Sequence, residues 1–398
     1  MRLGPGLLVT AAFIGPGTIT TASMAGANFG FALLWTLLFS VIATVVLQGM
    51  AARLGLATGH GLAESLRNTL DTGWRKYLCM ALVISAIGIG SAAYEAGNLT
   101  GAAMGIQALL GQPISTWSTL LTLLAGLLLF SGHYQMLEKS LIGLVLVMSL
   151  VFITTMVIAR PDFVALFKGL LVPSFPAGSV TTVLALIGTT IVPYNLFLHS
   201  SVMARQHQRA TDMSEIIGQS RWDTGLSIGL GGLITLAIVS TASAAFFGQA
   251  ITNIDAASMA RQLEPLLGHL AHYFFAIGLF AAGLTSAITA PLAGAFAVCG
   301  MLGWSTELTS KRFKTVWGVI LLCGAIGAAL KVSPVALIVF AQAANGILLP
   351  IIAIYLLWLM NQKTVLGAHR NKLLSNLLGG AIILLLLGLS GYKLWSLV

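Results

Sequence analysis

Charge is what this sequence has least of. Of 398 residues only 8% are Asp, Glu, Lys or Arg, against roughly 25% in an ordinary soluble protein, and the mean hydropathy is +0.95. Hydrophobic residues make up 57% of the chain and run its whole length. No stretch has the composition of an independent soluble domain, so one membrane-embedded body is expected across 1–398. Cysteine is scarce too. Cys79, Cys299 and Cys323 fall in apolar stretches with no CxxC or Cys/His ligand spacing, which argues against a disulfide framework or a zinc site. With no HExxH and no P-loop string, neither an enzyme nor an ATP-driven pump is expected, and no cofactor is called for.

What is present is a series of long apolar runs. A bilayer crossing takes roughly 20 such residues in a helix, and eleven candidates satisfy this near 5–29, 32–54, 78–110, 114–131, 139–158, 179–204, 224–248, 265–303, 315–330, 333–360 and 373–397. The formal charge of +9 is then a matter of topology rather than of nucleic acid. With the amino terminus in the cytoplasm, only Arg160, Lys168, Arg261, Lys331 and Lys393 of the 20 basic residues fall outside. That is the positive-inside pattern, and an odd number of spans leaves the carboxyl terminus outside. A bacterial-type inner membrane is expected, with a small-molecule solute and membrane lipid as partners and no nucleic acid; the sequence leaves the oligomeric state open, a monomer being compatible with it.

Carboxylates are scarcer still, 11 in all, and ten fall in loops or at helix ends. Glu95 alone lies deep in a span. Ionisable groups at that depth face a cavity or a partner. Two spans also carry their own interruption. Gly15-Pro16-Gly17-Thr18 sets a proline between two glycines, and Gly188-Thr189-Thr190-Ile191-Val192-Pro193-Tyr194-Asn195 repeats the device in the sixth span. Proline removes a helix hydrogen bond, and non-helical backbone at membrane depth is tolerated where protein or water satisfies it. Paired interruptions in corresponding positions point to the midplane site of a secondary transporter. Simple proline kinks in packed helices are the plainer alternative.

These strings resemble the Nramp family of divalent-metal transporters. Gly15-Pro16-Gly17-Thr18 stands against the family's Asp-Pro-Gly-Asn, and Val192-Pro193-Tyr194-Asn195 with Leu198-His199-Ser200 against its Met-Pro-His stretch and following Leu-His-Ser. Gly55-Leu56-Ala57-Thr58-Gly59, Ala341-Gln342-Ala343-Ala344-Asn345-Gly346 and Leu349-Pro350 match as well. The resemblance implies an all-α integral membrane protein of LeuT-like fold. It would comprise two inverted five-helix repeats, about 5–158 and 179–360, and an eleventh transmembrane helix at about 373–397. Alternating access would take place around the first and sixth helices.

The family's side-chain ligands are where this chain departs. The first-helix Asp and Asn and the sixth-helix Met are Gly15, Thr18 and Val192 here. The anion and the soft sulfur are both gone, and no metal ligand set is expected. What lies near the breaks is neutral: Thr18, Thr20, Thr21, Thr189, Thr190, Tyr194, Asn195, Gln342 and Asn345. A few placed donors and acceptors in an apolar pocket suit an uncharged polar solute. The expected cargo is therefore a monosaccharide such as glucose, using the volume freed at Gly15 and a ring face from Tyr194, Phe13, Phe197 or Phe340. The alternative is a divalent cation of the magnesium or manganese kind, held by backbone carbonyls and water, with proton coupling an open question. The competing structural reading has the threonines bonding back to their own helices and the amides joining helices together. In the third span Glu95 aligns with the first of two family carboxylates and Asn98 replaces the second, while His199 matches a family histidine. These three are the candidates for proton coupling. A non-transporting sensor on the same scaffold is the remaining class.

Overall fold

The computed structural model describes residues 14–70, 73–131, 143, 147, 150–207, 212–249, 256–330 and 332–395. All regular structure among them is helical. The longer elements are α1 (Pro16–Phe29), α2 (Leu34–Thr58), α3 (Leu62–Thr69), α4 (Trp74–Leu110), α5 (Ile114–Ser131), α6 (Leu150–Ala159), α7 (Phe163–Leu171), α8 (Val180–Thr190), α9 (Pro193–Ala204), α10 (Met213–Phe246), α11 (Ala271–Leu302), α12 (Lys311–Ala329), α13 (Pro334–Leu359) and α14 (Leu373–Trp395). Nine helical segments among the described residues are long and apolar enough to cross a membrane, with α6 and α7 together a bent tenth. The start of the first expected span and most of the fifth lie outside the described residues. The other nine fall where the apolar runs place them, some extended at their ends. Three features absent from the hydropathy pattern are the short helix α3, the sharp turn from α6 into α7, and the helical turns between Ala256 and Leu270.

Local sequence accounts for the helix boundaries. Pro16 and Pro193 each occupy the first turn of a helix, where a missing N–H is no loss. Asp162 and Asp212 cap α7 and α10 by accepting backbone N–H bonds. The carboxyl ends of α2 and α11 are closed by Gly59 and Gly303, both in the left-handed region at φ 69° and 72°, which favours glycine.

Packing sorts the helices into a centre and a rim. Every residue from Val183 to Ser200 is buried, so the interrupted α8–α9 pair is the axis of the bundle. It lies against α13 and α2, while α1 packs along α10, and α4 runs along α11 and α12. Small residues permit these approaches, as expected where apolar lipid supplies little drive for helix association. On the rim, α5 and α14 turn Leu123, Leu127, Phe130, Leu377 and Leu384 outward. Exposed Trp74 and Tyr77 stand at the start of α4, and Tyr392 and Trp395 at the end of α14, the ends of membrane-length helices being where amphipathic rings are enriched.

Candidate functional site

The second interruption is a break between two helices, and at the first the described backbone enters its helix only at Pro16. Gly15 precedes α1 with an extended ψ of −173°, and Thr18 and Ile19 donate to its carbonyl at 3.1 and 3.2 Å. Between α8 and α9, Ile191 and Val192 take ψ values of 74° and 118°. Pro193 has no N–H with which to continue the ladder back to Thr189. The last carbonyls of α8 therefore lack their helical donors, and that of Thr190 accepts from the Thr44 hydroxyl of α2 at 3.4 Å.

The two breaks meet. Thr18 and Thr189 share a hydroxyl–hydroxyl hydrogen bond of 2.7 Å, wholly buried. Gln342 from α13 fits the notch between them: a Cβ on Gly17 would fall on its amide nitrogen, and a Cβ on Gly188 on its backbone carbonyl. Pro16 and Gly17 thus form one wall, and Val192 and Pro193 belong to a buried second wall. Asn345 lies one helical turn beyond Gln342, its Oδ1 against Gly90 of α4. Tyr194 turns inward and meets Tyr94 edge-on with ring centroids 5.3 Å apart.

Many polar atoms here lack a protein partner. The Asn195 amide is unbonded at both ends, and Gln342 Oε1, Asn345 Nδ2, Asn98 Oδ1, Glu95 Oε1 and Ser286 Oγ are likewise buried without one. An unmade hydrogen bond in a dry interior costs about 1–3 kcal/mol, so this concentration marks a region adapted to something polar. Among the described residues no three His, Cys, Asp or Glu side chains gather into a metal cluster.

The proposed coupling residues divide into two places. Glu95 is fully buried and accepts from Asn98 Nδ2 at 3.3 Å. His199 lies on α9, with Nδ1 3.0 Å from Gln48 Oε1 and Nε2 unpartnered. Of the candidate ring faces, Phe197 is buried, whereas Phe340 is 68% exposed and turned away from the breaks; Phe13 lies outside the described residues. Ser286, Tyr94 and Gln48 join the site only in the fold. Gln48 is a lone amide in an apolar run and could have been flagged on that ground. Ser286 sits in a series of small residues with nothing to distinguish it. Gly225-Leu226-Ser227-Ile228-Gly229 fits the GxSxG pattern, but it lies inside the continuous helix α10 rather than at the strand-to-helix turn that exposes a nucleophile.

The family model for natural resistance-associated macrophage protein-like proteins matches residues 6–396. A protein of Klebsiella pneumoniae (strain 342) named divalent metal cation transporter MntH is 28% identical, over 98% of this chain and 92% of its own length. One of the same name from Yersinia pestis (strain Pestoides F) is also 28% identical, over 100% of this chain and 95% of its own. Among solved structures, a mutant of the Eremococcus coleocola manganese transporter superposes with a TM-score of 0.81 at 22% identity, covering 99% of this chain and 86% of that one. MhsT in complex with L-phenylalanine gives 0.66 at 15%, covering 98% of each chain. The fold is LeuT-like.

These relatives overturn the expectation of an uncharged solute such as glucose, since the cargo in their names is a divalent metal cation. The physical reason lies at Gly15. The volume assigned there to a sugar is narrowed by polar side chains, because a Cβ on Gly15 would stand 2.5 Å from Ser286 Oγ and 3.6 Å from Asn98 Oδ1. Loss of the family's Asp makes room for neighbouring side chains rather than for a ring of hydroxyls.

Proposed function

We propose that this chain, which belongs to the natural resistance-associated macrophage protein family, carries a divalent metal cation across the membrane by alternating access. The observation that carries this reading is the junction of the two breaks. Half-helix ends joined through Thr18 and Thr189 are surrounded by buried oxygens without partners. The carboxyl end of α8 turns partial negative charge toward that junction, which favours a cation. The side-chain donors are oxygen and nitrogen with no sulfur, Val192 standing where the family has methionine. Oxygen donors suit magnesium and manganese better than softer ions. With so few charges in reach the cargo keeps much of its water, as magnesium does when only one or two carboxylates hold it.

In the same reading residues 1–398 act as one domain, with 5–158 and 179–360 as repeats rocking about the breaks and 373–397 as an added helix. The protein sits in an inner membrane with its amino terminus cytoplasmic and its carboxyl terminus outside. Both breaks belong to one chain, so a monomer suffices.

Uptake into proteoliposomes is the test. Saturable Mn²⁺ entry, competed by Mg²⁺ and weakly by Cd²⁺, is expected, with no uptake of labelled glucose. Mn²⁺ and Mg²⁺ entry no faster than in protein-free vesicles would overturn the proposal.

A further inference from the structure

A point beside Gly15 is faced by oxygens from two other helices. Where a first-helix side chain would begin, Ser286 Oγ of α11 and Asn98 Oδ1 of α4 both lie within 3.6 Å. Both residues are buried, at 0% and 1% exposure, and both atoms lack a protein partner. Asn98 is oriented by its neighbour, since its Nδ2 donates to Glu95 Oε2. The reverse orientation would set the amide oxygen against the carboxyl oxygen. Glu95 Oε1 is free of protein partners as well, and the stem of the side chain is held against Gly324 of α12, where an added Cβ would overlap it.

Glu95 is the only fully buried carboxylate among the described residues. Its hydrogen-bond partner is the Asn98 amide, and among the described residues no basic side chain pairs with it. A carboxyl in such surroundings is neutralised by a proton or balanced by a nearby cation, and a divalent cargo can take the proton's place.

Resting on the cargo reading above, we propose that Glu95, Asn98 and Ser286 form the anionic pole of the cation site, taking over from the third and eighth spans the role that the first helix has lost at Gly15. The cargo is a hydrated hard dication. Its water donates to Asn98 Oδ1 and Ser286 Oγ, Glu95 supplies the countercharge, and Thr18, Thr189 and Gln342 face it from the junction. This assigns Glu95 and Asn98 to cargo binding rather than to a proton route.

The experiment measures Mn²⁺ binding to the full chain in lipid nanodiscs by calorimetry, alongside Mn²⁺ uptake. Glu95→Gln is expected to weaken binding at least tenfold, and Ser286→Ala about threefold. On the unsubstituted chain, modification of Glu95 by dicyclohexylcarbodiimide, located by mass spectrometry, is expected to slow in proportion to Mn²⁺ occupancy. This second measurement decides the matter where Glu95→Gln fails to fold. If the unsubstituted chain takes up Mn²⁺ while Glu95→Gln keeps its affinity within twofold, or saturating Mn²⁺ leaves the modification rate unchanged, the assignment is overturned and the cargo reading stands. If the unsubstituted chain neither binds nor carries Mn²⁺ or Mg²⁺, the cargo reading falls and takes this one with it.

Discussion

The hydroxyl pair at the junction lends itself to a double-mutant cycle, because the energies of making and leaving unmade a buried hydrogen bond differ. Thr18 and Thr189 are each 0% exposed and bonded to one another at 2.7 Å. Thr18→Val keeps the shape of the side chain and removes the cross-break partner of the Thr189 hydroxyl; Thr189→Val removes that of Thr18. Each single change leaves a polar group in the bundle without its cross-break partner, a cost of about 1–3 kcal/mol. Replacing both partners by apolar groups of the same shape can be nearly neutral, so the double variant should lose about 1 kcal/mol or less. The two substitutions are then non-additive by about 2 kcal/mol, within the range seen for residues in contact. Equilibrium unfolding in mixed detergent micelles reads this directly, with the eight tryptophans as the probe. Cation uptake should follow the same order, the double variant retaining more activity than either single one. Effects that add to within about 0.5 kcal/mol, as for distant sites, would refute the claim that the bond joins the two breaks.

Further outcomes follow from the same packing. Gly188→Ala places a methyl on the backbone carbonyl of Gln342, and overpacking of about 1–3 kcal/mol should outweigh the gain of about 1 kcal/mol in helix propensity. Gly318→Ala on α12, with nothing within 4 Å, should show only that gain, so thermal melts of the two variants should move in opposite directions. Gly15→Asp should abolish uptake, because its Cβ stands 2.5 Å from Ser286 Oγ; adding Ser286→Gly should restore part of it in a vesicle flux assay. Phe340→Ala should leave Mn²⁺ uptake within twofold of the starting protein, since that ring is 68% exposed and does not face the site.

How far the site was legible in the sequence differs from residue to residue. Pro16 and Pro193 announce their breaks, because proline's missing N–H acts locally and requires no knowledge of the fold. Glu95 was conspicuous for a similarly simple reason, since a carboxylate inside a long apolar run is costly wherever the run ends up. Thr18, Thr189 and Gln342 could be listed as polar residues near the breaks, but their convergence could not be read from a string in which the first and last are hundreds of positions apart. Gly15 misled. A glycine in sequence signals an absent side chain and so suggests open volume, whereas in the fold Ser286 Oγ reaches into that space.

The chain by itself determined that this is a membrane protein, where most of its spans fall and where two of them break, because hydropathy, helix length and proline chemistry are properties of short segments. Tertiary structure decided what faces each break: that Thr18 meets Thr189, that the amide of Gln342 enters the notch between Gly17 and Gly188, and that Asn98 and Ser286 stand where a first-helix ligand would have been. The reason is that a binding site is a set of distances among helices remote in sequence. Those distances are fixed only when small residues let the helices close on one another.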